Sequence, residues 1–181
     1  QKYQAFKRKN MFLKKSFTAV VLILLASCAA TNSGYVKHPN VTFEQGTIKT
    51  NVRSYSLFNG ITCCYDVYSE IIEIDTEWPR LFLSRQPEPG FRAQKLFIPV
   101  RSVDEIISYL EFQYKLPANE TAQKAIKFGG NTMRVGSDIY DGKKLIFIID
   151  LNYNFAFEVD ELPKLLEILK DYRSKFQKVK A

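Results

Sequence analysis

The chain of 181 residues carries a formal net charge of +7 from 26 basic and 19 acidic side chains, a balance that by itself would point to nucleic acid or another acidic partner. Six of the bases, Lys2, Lys7, Arg8, Lys9, Lys14 and Lys15, lie in the first 27 residues, which hold no acid, so residues 28–181 keep 20 bases against 19 acids, a net of +1. The electrostatic case for nucleic acid is thereby removed, and the remaining 154 residues suffice for one ordinary domain with a real core.

In chain order, Gln1 comes first and the first methionine is Met11, so residues 1–10 are expected to be an upstream extension outside the native protein. From Met11 follow Lys14 and Lys15, an apolar run from Phe17 to Leu25, small Ala26 and Ser27, and then Cys28. This is the plan of a secretory signal peptide over residues 11–27. Read as a helix, the 14 residues from Phe17 to Ala30 reach about 21 Å at ~1.5 Å per residue, short of the roughly 30 Å of a bilayer core. A cleaved signal is therefore preferred to an uncleaved spanning anchor. Leu25, Ala26, Ser27 and Cys28 resemble the lipobox of bacterial lipoproteins, an aliphatic residue and two small residues before the lipidated cysteine. The resemblance implies that a dedicated peptidase recognises Leu25, Ala26 and Ser27 and cuts before Cys28. It further implies a diacylglycerol thioether on Cys28 and acylation of the new amino end, several acyl chains giving stable anchoring where one is marginal. Ala29 stands where an Asp would resemble an enterobacterial inner-membrane retention signal, which implies an outer-membrane destination facing the periplasm.

Residues 28–40 are small and polar with Gly34 and Pro39, a lipidated tether, and a single folded domain is expected over 41–181 in halves of about 41–116 and 117–181. Strand chemistry covers Val52 to Phe58 and Ile61 to Asp75 around an Asn59-Gly60 hairpin turn, then Leu81 to Ser84, a turn at Pro87 to Gly90, and Lys95 to Val100. Ser102 with Glu105 predicts a capping box, followed by a helix with Val103, Ile106, Ile107, Leu110 and Tyr114 on one face. Asn119 to Phe128 reads as either a short helix or a strand. Strands follow at Thr132 to Val135 and Leu145 to Leu151 around an Asp141-Gly142 turn. Phe155, Phe157 and Val159 alternate as a strand, Asp160 is the expected N-cap, and Leu162, Leu165, Leu166 and Leu169 form a helix stripe. Shifted back by 59 residues, the two ends coincide: Leu96, Ile98, Val100, Val103, Ile106, Ile107 and Leu110 are apolar in both copies. The predicted fold class is α+β, with antiparallel sheet from two strand-rich units, each closed by a helix in a ββββα-like imperfect repeat. In element order this resembles the repeats of purine-rich-element-binding proteins, whose family binds single-stranded nucleic acid on the sheet; only the fold analogy is carried over.

Candidate chemistry is sparse. The one histidine, His38, lies in the expected tether, so no triad or histidine-based metal cluster assembles inside the domain without it. No catalytic residue, cofactor or metal site is expected. Cys63 and Cys64 form a possible redox pair, but adjacent Cα atoms lie about 3.8 Å apart, below the usual disulfide window of ~4.4 to 6.8 Å. Neighbouring side chains of a regular strand also face opposite sides. The preferred expectation is that Cys63 packs inward with Tyr65 and Val67 while Cys64 lies opposite. Glu73, Asp75 and Glu77 alternate and could hold a hard cation or serve as a carboxylate pair, although the solvated end of an edge strand is the preferred reading. Gly129-Gly130 and Gly142-Lys143-Lys144 lack the full phosphate-loop pattern and read as turns. Most aromatic residues, 14% of the chain, are expected in the core, among them Phe112 and Tyr114. The bases of the tail, Lys170, Arg173, Lys175, Lys178 and Lys180, are expected to complement a helix dipole.

The functional expectation is a non-catalytic protein-binding module of the cell envelope. Its partners would be the lipid bilayer, through the acyl chains on Cys28, and an envelope protein, with no nucleic acid. The alternatives are an inhibitor or immunity lipoprotein acting against a toxin or phage factor, and a small-ligand or cation-binding lipoprotein.

Overall fold

The computed structural model describes residues 34–43, 46–56, 62–74, 78–85, 94–128, 130–150 and 154–178, all within the unit Ser33–Ala181. β-Branched and aromatic runs form strands β1 (Tyr35–Lys37), β2 (Ile48–Ser56), β3 (Thr62–Ile74), β4 (Trp78–Arg85) and β5 (Gln94–Pro99), followed by helix α1 (Val100–Lys115). Strands β6 (Gln123–Phe128), β7 (Asn131–Tyr140), β8 (Lys143–Ile149) and β9 (Asn154–Glu158) come next. A single 3₁₀ turn (Val159–Glu161), helix α2 (Leu162–Ser174) and β10 (Phe176–Lys178) end the described chain. Eight strands make one antiparallel sheet in the order β5-β4-β3-β2-β9-β8-β7-β6, and β1 pairs with β10 in a separate two-stranded ribbon. The expected α+β class with antiparallel sheet is observed. Among the described residues, the two four-stranded meanders pair where Tyr55 of β2 meets Ala156 of β9.

Helix α1 touches β4 and β5 at one edge of the sheet and β6 and β7 at the other, so the sheet wraps around it. The rings of Phe97 in β5 and Phe128 in β6 meet edge-on at 5.7 Å between the two outer strands. Val103, Ile106 and Leu110 of α1 and Leu162, Leu165 and Leu169 of α2 share one buried cluster with Leu81, Leu83, Phe155 and Phe157 of the sheet. Each such side chain contributes about 1.5–3 kcal/mol by leaving water. Strand β8 is buried on both faces, because Leu145 and Phe147 form a second small cluster with Ala156 on the side opposite Ile146 and Ile148. Its sequence is accordingly a continuous apolar run rather than an alternation.

The Asp141-Gly142 turn is present, with φ of 49° and 76°, the pair of positive angles that a two-residue hairpin of the right twist needs. Other expectations are corrected. The capping box fails because α1 begins at Val100, directly from the strand; Ser102 becomes its third residue and its Oγ donates back to the Pro99 carbonyl at 2.9 Å, while Glu105 pairs with Lys124 at 2.8 Å. Asp160 is no N-cap, since it sits inside the 3₁₀ turn and Glu161 precedes α2. Tyr114 is 50% exposed and Phe112 45% exposed, and the buried position on that turn of α1 belongs to Gln113, whose Nε2 donates to the Ala122 carbonyl at 2.8 Å. Residues 123–128 are strand. Tyr35–Lys37, within the segment expected to be a tether, are paired with Phe176–Lys178. The hairpin turn at Asn59-Gly60 and the turn at Pro87 to Gly90 lie outside the described residues, although the strands flanking each are paired antiparallel.

Candidate functional site

A groove runs between α2 and strands β2 and β3. It consists of two adjoining hollows of about 350 and about 460 Å³, which share Ile48, Ser69, Ile168 and Asp171. Its local cause is an irregularity in β2: the pairing with β3 shifts between Lys49 and Arg53. Thr50 fills the gap in the ladder, its Oγ1 donating to the Val67 carbonyl at 2.6 Å and accepting the Val52 N–H at 3.1 Å. Ile48 is left 46% exposed at the groove. Ile71, Leu81, Ile168 and Tyr172 supply apolar lining to the first hollow, beside polar Thr42, Ser69, Glu70, Asp171 and Lys175. Tyr172 is itself buried, and that burial raises its phenol above the usual tyrosine range.

Ion pairs ring the groove. Lys49 pairs with Asp66 at 2.6 Å, Lys164 with Glu161 at 2.8 Å and Lys175 with Asp171 at 2.5 Å. Exposed pairs of this kind contribute about 0–1 kcal/mol to stability, so their consequence is the alternating charge offered to an occupant. The lining holds hydroxyls, carboxylates and ammonium groups but no histidine or cysteine, and among the described residues no group of three His, Cys, Asp or Glu side chains could hold a metal. What the arrangement offers is binding of a segment with mixed apolar and polar side chains.

Three polar arrangements shape the surroundings. Arg85, 2% exposed, lies 4.8 Å from the Phe155 ring centre and 5.5 Å from that of Tyr65. Its Nε donates to Gln94 Oε1 at 2.7 Å and its Nη1 to the Tyr55 carbonyl at 2.5 Å, tying β4 to β5 and β2. Burial pulls the guanidinium down to about 10, so it remains charged at neutral pH. Lys144 caps the end of α1, its Nζ donating to the Leu116 and Pro117 carbonyls at 3.1 and 3.0 Å, and burial lowers its ammonium. At the ribbon, the Tyr35 hydroxyl donates to Asp104 Oδ2 at 2.7 Å and Arg173 Nε donates to Oδ1 at 2.6 Å. None of these was legible in the sequence, because each joins residues from elements that only the fold brings together.

Of the residues singled out in the sequence, Leu25, Ala26, Ser27 and Cys28 lie outside the described residues, as do Asp75, Glu77 and the side chain of Glu73. Cys63 and Cys64 both fall in β3, and Cys64 is disulfide-bonded. His38 follows β1, its N–H donating to the Lys175 carbonyl at 3.0 Å. Gly142 forms the β7–β8 turn with Asp141, and Lys143 and Lys144 open β8. Lys170, Arg173 and Lys175 pair with Glu111, Asp104 and Asp171 rather than serving only a helix dipole. Among the described residues no helix is long and apolar enough to cross a membrane. Comparison with protein-family models, with curated proteins and with solved structures finds no match to this chain.

Proposed function

We propose that the chain is a lipid-anchored, non-catalytic protein-binding module of the cell envelope, held through Cys28 at the outer membrane and facing the periplasm, with the α2 groove as its contact surface. The observation that carries the reading is the groove itself, a mixed polar and apolar lining with ion pairs at its rims, where among the described residues no set of catalytic side chains converges. The occupant we assign to it is a polypeptide segment of an envelope protein close to the membrane. Tyr35, the first residue of β1, stands seven positions after Cys28, a reach of at most about 25 Å. The backbone carbonyl of Lys175, at the groove, accepts the N–H of His38 just after β1, so the groove opens near the end that the tether enters. The sequence offset of 59 residues, together with the order of four strands and a helix occurring twice, supports an ancestral duplication behind the sheet.

The test places a photocrosslinking residue at Ile48 in the groove and, as a control, at Ile139, which is exposed on β7. The expected result is one discrete adduct from Ile48 in intact cells, absent from Ile139 and lost when Cys28→Ser releases the protein. Adducts of equal yield from both positions, or none from Ile48, would discard the groove as the contact surface.

A further inference from the structure

Strands β2 and β3 fall out of register a second time, between Ser54 and Ser56. Ser54 pairs with Tyr65 and Ser56 with Thr62, so Cys63 and Cys64 together stand opposite the single residue Tyr55. Two residues against one is the arrangement of a β-bulge, in which the bulged strand bends and its regular ladder is interrupted. The objection to bonding adjacent cysteines was that a regular strand sends neighbouring side chains to opposite faces, with Cα atoms only about 3.8 Å apart. The bulge suspends that regularity at these two residues, whereas β3 pairs with β4 without a break from Val67 to Ile74.

Cys64 is disulfide-bonded. The chain holds three cysteines, so within one molecule the partner is Cys28 or Cys63. A cysteine whose sulfur is committed to a lipid thioether cannot also form a disulfide. We infer that the anchored protein carries a vicinal Cys63–Cys64 disulfide at the β3 bulge, a modification site separate from the groove. The inference rests on the lipid-anchor reading for the choice of partner and on the bulge for its local feasibility. Formation is by thiol–disulfide exchange with an oxidised protein dithiol of the oxidising compartment. One cysteine thiolate attacks a donor sulfur and expels the donor's other thiolate, giving a mixed disulfide. The neighbouring cysteine, once deprotonated, then displaces the donor. The S–S bond formed here replaces the one broken in the donor, which leaves as a dithiol having gained the two electrons and two protons that the cysteine pair gives up.

The test takes the full chain from membranes without reductant, blocks free thiols with iodoacetamide, and maps the digest by mass spectrometry before and after reduction. The expected result is a peptide containing Cys63 and Cys64 that takes no alkyl group before reduction and two after it, beside an N-terminal peptide acylated on Cys28. The same Cys63–Cys64 peptide is expected from the released Cys28→Ser protein, without the acylated N-terminal peptide. If Cys63 and Cys64 are alkylated without reduction while Cys28 carries lipid, the inference falls and the anchor stands. A vicinal link beside an alkylated, lipid-free Cys28 upholds the inference and removes the anchor, and a Cys28–Cys64 link removes both.

Discussion

Asp104→Ala tests how firmly the β1–β10 ribbon, through which any N-terminal anchor would hold the domain, is fastened to the helices. Asp104 accepts from the Tyr35 hydroxyl at 2.7 Å and from Arg173 Nε at 2.6 Å, and the Arg173 guanidinium lies 4.7 Å from the Tyr35 ring centre. Hydrogen bonds to a charged partner contribute about 1.5–3 kcal/mol each when shielded from solvent, but the Asp104 side chain is 48% exposed and solvent screens it. A total of about 1–2 kcal/mol is the reasoned loss, and 1.4 kcal/mol is tenfold in an opening equilibrium. Hydrogen exchange read at the backbone amides of the ribbon should therefore quicken by about tenfold, with little change at β7 and β8. The pH dependence has a definite sign. Burial pushes the Asp104 carboxyl up, but the hydrogen bonds from Tyr35 and Arg173 and the guanidinium charge outweigh it and hold the group below the ordinary aspartate range. A depressed carboxylate stabilises the folded state above its unfolded value and loses that contribution as pH falls through the folded one. The difference between wild type and Asp104→Ala should thus be full at neutral pH and vanish in strong acid. Equal exchange at the ribbon in both proteins, or a difference that persists in strong acid, would refute this account of the junction.

Leu169→Ala, at a fully buried position of α2, should cost about 2–5 kcal/mol by equilibrium denaturation, against about 0.5 kcal/mol or less for a change at an exposed site away from special features. Gly136→Ala should lose about 1–3 kcal/mol, because an added Cβ would lie 2.7 Å from the Ala122 carbonyl oxygen and 2.8 Å from Phe147 Cζ; a neutral effect on the unfolding midpoint would show that the backbone there gives way. The Tyr55 hydroxyl donates to Glu158, and that bond, with burial and the Glu158 charge, raises the phenol from 10.0 to about 12. A raised group contributes stability that is present below its unfolded value and lost as pH climbs through the folded one. Tyr55→Phe should therefore flatten the part of the alkaline stability loss that wild type shows between about 10 and about 12; superimposable pH profiles would exclude that coupling.

Local pattern carried a large part of the fold. Alternation located most of the strands, the Asp-Gly pair marked the β7–β8 turn, and Leu162, Leu165, Leu166 and Leu169 marked the buried stripe of α2, because these features depend on residues within a few positions of one another. Capping went wrong at both helices for one reason: each helix leaves its strand directly or through a 3₁₀ turn, and the connecting geometry decides which residue stands first. The same limit explains Tyr114, since a helical period names a face but not which of two adjacent positions on the last turn is covered by β6 and β7. The groove was illegible because its lining comes from β2, β3, β4 and α2 and from a slip in strand register.

The amino-acid sequence by itself determined most of the strand and helix segments and the α+β class, which follow from side-chain type and short-range spacing. Only the tertiary structure decided that β1 closes on β10, that Asp104 joins Tyr35 and Arg173 across 69 residues of chain on either side, that Arg85 is buried against rings of β3 and β9, and that Cys63 and Cys64 meet Tyr55 at a bulge. Register, burial of a charge and closure of a ribbon are properties of pairs distant in sequence, and their energies exist only once the sheet has wrapped around its helices.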